Sequence, residues 1–133
     1  MPCNVRGAWR TIVGLMIVAV AARALHALGM PPVSRYVVEG SSMEPAFRPG
    51  DRVLVNRLAY RSRPPRAGEV VVLRDPQRER HVLLKRVADR SRSDGLAGTG
   101  VYVLGDNAAE SRDSRTFGAV AAEQILGRAW LKY

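Results

Sequence analysis

The sequence predicts a small, mainly β domain preceded by one N-terminal transmembrane helix. Two observations carry this prediction. An apolar run without acidic residues spans 11–30, and beyond it the apolar residues come in short stretches interrupted by Gly, Pro or Asp. With that run set aside, about 100 of the 133 residues remain, which is one domain's worth. There is no internal repeat.

The first element is the helix. Thr11 to Ala22 is uncharged and largely apolar, and continuing through Arg23 and His26 to Met30 makes 11–30 about 30 Å of helix, enough to span a bilayer. Arg23 would cost roughly 2.5 to 3.5 kcal/mol at the bilayer centre, but it lies past the middle and can snorkel outward. Arg6 and Arg10 precede the run, which predicts a cytoplasmic N-terminus over 1–10, Trp9 at the interface and an extracytoplasmic domain over 34–133. This describes a single-pass protein of the cell membrane. The basic residues, the short apolar run and Ala19-Val20-Ala21 also fit a cleavable signal peptide, and the residues leave both readings open. Pro31-Pro32 ends the helix in either case.

Six strands are predicted next: Arg35 to Glu39, Arg52 to Val55, Glu69 to Leu73, His81 to Val87, Gly100 to Leu104 and Ile125 to Leu131. Pro49-Gly50-Asp51, Pro64-Pro65, Asp75-Pro76 and Asp94-Gly95 mark the turns between them. Arg90 to Gly100 is polar and glycine-containing, so it reads as a loop or hairpin tip.

The net charge of +9 fits an anionic membrane surface, or simply a solvated basic face. Nucleic acid is not expected as a partner, because the basic residues are dispersed rather than gathered around aromatic platforms. Of the 21 basic residues only Lys85 and Lys132 are lysines. Lysine can lose its proton where arginine cannot, so each lysine invites a chemical question; Lys132, near the end of the chain, reads as incidental. Cys3 is the one cysteine and His26 and His81 the two histidines, which excludes a disulfide or a cysteine-based zinc site in the domain. No metal or other cofactor is expected.

Three segments carry polar chemistry. Glu39-Gly40-Ser41-Ser42-Met43-Glu44-Pro45 places two serines between a predicted strand and a proline-limited turn, where a hydroxyl can be held on a rigid frame. Such serines are also ordinary turn formers. In His81 to Val87, alternation puts His81, Leu83, Lys85 and Val87 on one face. Burial among apolar neighbours disfavours the ammonium and can lower a lysine pKa by up to about 3 to 5 units, which makes the amine a proton acceptor. A lysine that snorkels from an edge strand is the plainer alternative. The third segment, Gly105-Asp106-Asn107 through Ser111-Arg112-Asp113-Ser114-Arg115, is a polar run at a strand end. Ser111 can orient the Lys85 amine, and Asp113 can pair with Arg115 to stiffen the loop; a solvated turn rich in Asx caps is the alternative.

Taken together, these segments resemble the signal peptidase I family across nearly all of the chain after Val38. The shared pattern is Ser42-Met43-x-Pro45, Gly50-Asp51, Gly68-Glu69-Val70-Val71, Lys85-Arg86-Val87, Gly105-Asp106-Asn107 and Ser111-x-Asp113-Ser114-Arg115, in the family's order. The resemblance implies a small signal-peptidase-like β catalytic core working as a serine endopeptidase with a Ser-Lys dyad. The nucleophile is the serine before Met, which is Ser42; Ser41 would point to the other side of an extended chain. Lys85 would be the general base, the Ser42 N–H an oxyanion donor, Ser111 a support for Lys85, and Asp113 with Arg115 a support for the loop. Met43 and Pro45 would lie in the substrate-binding region. Substrates would be exported precursors with Ala-x-Ala-like cleavage sites, bound as an added strand, with the lipid membrane as a second partner.

Two departures accompany the resemblance. Some members carry an oxyanion hydroxyl two residues before the nucleophile, where this chain has Gly40. Larger members insert a second β-domain before the Gly-Asp-Asn loop, whereas Gly105 here follows Lys85 closely. A dedicated maturation peptidase for one precursor, like those for nickel-type superoxide dismutase, is therefore an alternative to a general signal peptidase. A self-cleaving repressor with the same dyad would need a DNA-reading domain where this chain has its apolar run. A non-enzymatic basic module on a membrane surface would leave the ordered motifs unexplained, and no spacing supports His81 in a Ser-His-Asp arrangement.

Overall fold

The computed structural model describes residues 32–88 and 100–133. The predicted anchor over 11–30, the N-terminal stretch 1–10 and most of the predicted polar loop at 90–100 lie outside the described residues. Among the described residues, no helix is long and apolar enough to cross a membrane.

Six strands form one antiparallel sheet: β1 (Val33–Val37), β2 (Arg52–Asn56), β3 (Val70–Asp75), β4 (Arg78–Val87), β5 (Val103–Leu104) and β6 (Ile125–Lys132). Their order is β1-β2-β6-β3-β4-β5, so the last strand returns to the middle of the sheet, between β2 and β3. The domain is mainly β, as the sequence predicts. One helical turn, α1 (Ser114–Phe117), and two short 3-10 turns interrupt the connection from β5 to β6.

The valine-rich strand β3 is buried on both faces. Val71 and Leu73 of β3 join Val87, Val101, Val103 and Val120 in one apolar cluster. Val72, between them in sequence, faces the other way into a cluster with Val53 and Val55 of β2. A strand covered on both sides reads as a continuous apolar run rather than an alternating one, as Val70-Val71-Val72-Leu73 does.

Some boundaries differ from the predicted ones for local reasons. β1 ends at Val37 because Val38 turns to bond with the Gly50-Asp51 turn, donating to the Asp51 carbonyl at 2.8 Å and accepting from Gly50 at 2.7 Å. Gly50 supplies the left-handed φ of 92° that this turn needs. β4 begins at Arg78 rather than His81, because the Asp75 carboxylate accepts the Gln77 N–H at 2.9 Å and closes a tight β3–β4 connection. The strand predicted over Gly100 to Leu104 shrinks to β5. Val101 leaves the β4 ladder and exchanges two 2.8 Å backbone hydrogen bonds with Val120 instead.

Candidate active site

Lys85 lies opposite Val71 in the β3–β4 register and is 2% exposed, on the same face as Val87 and Leu83. Burying an unpaired ammonium is costly, and the buried surroundings hold the Lys85 amine below its ordinary pKa. Asp113 pulls it back up electrostatically and Arg115 pushes it down again. The one hydrogen bond recorded for the amine is to Ser42: Nζ donates to Oγ at 2.6 Å. In the neutral amine the direction reverses, and nitrogen accepts the serine proton.

Ser42 follows β1 in a turn, not in an extended chain, which corrects the alternation argument against Ser41. The hydrogen bond to Lys85 is what distinguishes the two serines. Within the turn Phe47 donates to the Met43 carbonyl at 2.9 Å, and the Glu44–Pro45 peptide is cis. Met43 is 1% exposed and lines a groove that also reaches Ser42 and Lys85. Pro45 is exposed in the turn and is absent from that lining. The groove, of about 480 Å³, lies between the stretch Arg35–Gly40 and the stretch Arg80–Leu84 of β4. His81 lines the groove and has no recorded hydrogen bond to Ser42.

Asp113 is fully buried and collects five hydrogen bonds: from the Gly105 N–H and Ser111 Oγ at 2.8 Å, from the Arg115 N–H at 3.1 Å, and from the Arg115 guanidinium at 2.9 and 2.5 Å. Burial alone would raise its pKa, but the Arg115 hydrogen bonds and the other donors hold the carboxyl far below the usual range. Asp113 and Arg115 are paired. Ser111 does not make the expected bond to the Lys85 amine; its recorded hydrogen bond goes to Asp113, whose carboxylate is the stronger acceptor.

Residues whose roles the sequence reading did not assign hold the pieces together. Asn107 donates from its backbone to the Ser42 carbonyl at 2.9 Å and from its side-chain amide to the Ser41 carbonyl at 3.2 Å. Gly105 packs so tightly that a Cβ there would collide with the Ser111 side chain and lie 2.7 Å from the Ser42 carbonyl oxygen. Arg86 grips Asp106 with two hydrogen bonds of 2.8 and 2.7 Å and donates to the Gly68 carbonyl at 2.9 Å. Arg112 pairs with the buried Asp75 and donates to Gln77 at 2.9 Å, tying the polar loop to the β3–β4 turn. Lys132 is not incidental: it pairs with Asp51 at 3.1 Å and donates to the Ala46 carbonyl at 3.1 Å. The signal for most of these was membership of a short ordered motif, which marks a residue without naming its partner.

A hydroxyl in contact with a buried amine at the end of a groove is an arrangement with which a β domain can carry out acyl transfer. The sequence model of the family described as signal peptidase, peptidase S26, matches residues 8–98 and 88–133, two stretches that overlap between Lys85 and Gly105. The chain belongs to the signal peptidase (peptidase S26) family. It is 33% identical over 106 residues to the mitochondrial ATP-independent inner membrane protease subunit 1b of Arabidopsis thaliana, covering 67% of this chain and 63% of that one. It is 29% identical over 160 aligned positions to the probable signal peptidase I-2 of a Synechocystis species, with 93% of this chain and 71% of the relative covered. With signal peptidase IB of Staphylococcus aureus it shares 26% over 168 aligned positions, covering 90% and 87%. That alignment is longer than this 133-residue chain, so the relative carries segments this one lacks. The chain spans just under two thirds of the length of the Arabidopsis protein.

Proposed function

We propose that this protein is a membrane-anchored serine endopeptidase that removes signal peptides from exported precursors, with Ser42 as nucleophile and Lys85 as general base. The observation that carries the reading is the 2.6 Å contact between Lys85 Nζ and Ser42 Oγ, made by an amine that burial holds toward its neutral form. Membership of the signal peptidase family supports the substrate class.

In this mechanism the precursor lies in the groove as an added strand, with small residues of an Ala-x-Ala-like site before the cut. The Ser42 oxygen attacks the scissile carbonyl while its proton passes to the neutral Lys85 amine. The resulting oxyanion is met by the Ser42 backbone N–H, and the new ammonium then protonates the leaving amine as the C–N bond breaks. Water, deprotonated by Lys85, attacks the Ser42 ester, and the proton returns from Lys85 to the Ser42 oxygen as the cleaved signal peptide leaves. Asp113 and Arg115 act on Lys85 with opposite sign, and clamping Asp113 by Arg115 limits how far the carboxylate stabilises the ammonium. Residues 11–30 would anchor the chain with 1–10 in the cytoplasm and 34–133 on the extracytoplasmic side.

The test is cleavage of an Ala-x-Ala-containing precursor by purified protein. Ser42→Ala should abolish it while the variant keeps its fold, and Ser41→Ala should retain most of it. A dead Ser41→Ala beside an active Ser42→Ala would overturn the assignment. For topology, protease added to intact spheroplasts should digest the domain over 34–133; protection of that domain, or a mature N-terminus near Ala22, would reject the retained anchor.

A further inference from the structure

The groove has two rails that run the same way. β1 is antiparallel to β2, β2 to β6, β6 to β3 and β3 to β4, so four reversals leave β1 and β4 pointing in one direction. Each rail leads toward the candidate pair, β1 through Val38–Gly40 to Ser42 and β4 to Lys85. At the opposite end of the groove each rail carries an arginine, Arg35 on β1 and Arg80 on β4, with His81 beside Arg80. With a rise of about 3.3 Å per strand residue, His81 and Arg80 stand about 13 and 17 Å before Lys85.

Arg63, Arg86, Arg112, Arg115, Arg128 and Lys132 each pair with a carboxylate. Among the described residues, no ion pair or hydrogen bond is recorded for the side chains of Arg35, Arg80 or His81. Ion pairing does not single these groups out, since Arg52, Arg61, Arg66, Arg74 and Arg78 also lack an ion pair among the described residues; their place in the groove lining does. Glu79, next to Arg80 in sequence, is not part of the lining. The one acid in the lining, Glu39, sits three residues before Ser42, close to the cut. The groove is thus cationic far from the candidate pair and carries a negative charge near it.

We propose that the groove selects precursors with an acidic side chain four to six residues before the cut, read by Arg35, Arg80 and His81; this rests on the peptidase function proposed above. An extended substrate that runs parallel to β4 has the same spacing as the strand, so a residue that many positions before the scissile carbonyl arrives at the cationic end. The permanently charged guanidinium groups attract a carboxylate there, and Glu39 opposes one placed next to the cut.

The experiment uses the full-length protein in detergent and a set of Ala-x-Ala peptides carrying Asp, Gln or Lys at each position from three to seven before the cut. Asp at one of positions four to six should raise kcat/KM over Lys by about tenfold at low salt, through KM, and the gap should narrow as salt rises. In the Arg35→Gln/Arg80→Gln double variant the Asp-to-Lys ratio should collapse toward one, and Arg35→Lys/Arg80→Lys should restore it. Equal cleavage of the Asp and Lys peptides by the wild type overturns this proposal and leaves the peptidase reading standing. Cleavage of none of them overturns both. If the double glutamine variant instead loses binding to phosphatidylglycerol vesicles with its peptide selectivity unchanged, the cationic end serves a membrane surface and the proposal fails.

Discussion

Asn107 fixes the backbone of Ser42: its N–H donates to the Ser42 carbonyl at 2.9 Å, while its side-chain amide holds the Ser41 carbonyl from 66 positions away in the chain. Two consecutive peptide units beside the proposed nucleophile are therefore set by a loop on the far side of β5. A 2.6 Å contact between Ser42 and Lys85 tolerates little drift, and a displacement of about 1 Å at a reacting group can cost on the order of 100-fold in rate.

Two substitutions separate the parts of this clamp. Asn107→Ala keeps the backbone bond and removes the one to Ser41, so a loss of kcat of about five- to tenfold is expected, in line with one hydrogen bond. Gly105→Ala forces a Cβ against Ser111 and the Ser42 carbonyl, and both stability and activity should fall, stability by about 1 to 3 kcal/mol. Urea denaturation and peptide cleavage measured on the same preparations check both. A Gly105→Ala protein with wild-type kcat would contradict the close approach.

Gly40 offers a gain rather than a loss. A Cβ at this position meets nothing within 4 Å, and Gly40 is not among the residues with positive φ, so a serine fits without strain. Gly40→Ser would place a hydroxyl two residues before Ser42, where the family resemblance implies that some members carry an oxyanion donor. Since removing such a donor elsewhere costs about 100- to 1000-fold, adding one in an unoptimised setting should raise kcat by at least about threefold. Unchanged kcat with an intact fold would mean that the new hydroxyl does not reach the oxyanion.

Glu69 makes the fold sensitive to acid. Its carboxylate accepts from Arg63 at 2.7 and 3.1 Å, from the Arg66 N–H at 3.0 Å and from the Tyr60 hydroxyl at 3.1 Å, and the Arg63 hydrogen bonds bring its pKa down to about 2. The folded pKa lies below the unfolded value of about 4.3, so the stabilisation is present above that value and is lost as pH falls toward 2. The loss attributable to this group is up to about 3 kcal/mol. Glu69→Gln should be less stable at pH 7 and show a flatter decline between pH 5 and 2, with Asp113 supplying part of the remaining slope. Parallel slopes for the two proteins would assign the acid sensitivity elsewhere.

What the sequence could reveal depended on whether the controlling interaction was local. Strand alternation put Lys85 on a face with Leu83 and Val87, and burial confirms that face, because a two-residue period needs no knowledge of tertiary partners. The Val70–Leu73 run announced a strand by its unbroken apolar character, since β3 is covered on both sides. Alternation misled at Ser41 and Ser42, since a turn has no fixed side-to-side period. The Ser111 hydroxyl had two acceptors in prospect, and only the packed loop shows that Asp113 takes it. Asn107, Gly105 and Lys132 act across the fold on Ser42 or on the turn that holds it, contacts that no window of sequence contains. Cationic residues at the far end of both rails became visible only once the sheet order brought β1 and β4 to one groove.

Lys85 provides the sharpest test, because under the proposed mechanism the charge is an obstacle and the lone pair is the function. Lys85→Arg keeps a permanent cation and removes the base, so activity should fall at least about 100-fold, as it should in Lys85→Met. Wild-type kcat/KM should rise with pH through one ionisation below the ordinary lysine value, since burial lowers the Lys85 pKa. Stability should follow the same direction. Above the folded pKa the native state has released a proton that the unfolded chain still holds up to about pH 10.4, so wild-type stability rises with pH across that window. Lys85→Met fills the buried site without a charge, and should be more stable than wild type at pH 7 while lacking this rise. Denaturant titrations at pH 7 and 10 beside peptide cleavage decide it. A folded Lys85→Arg protein with near-normal activity would remove the Ser-Lys mechanism and make His81 the next base to test.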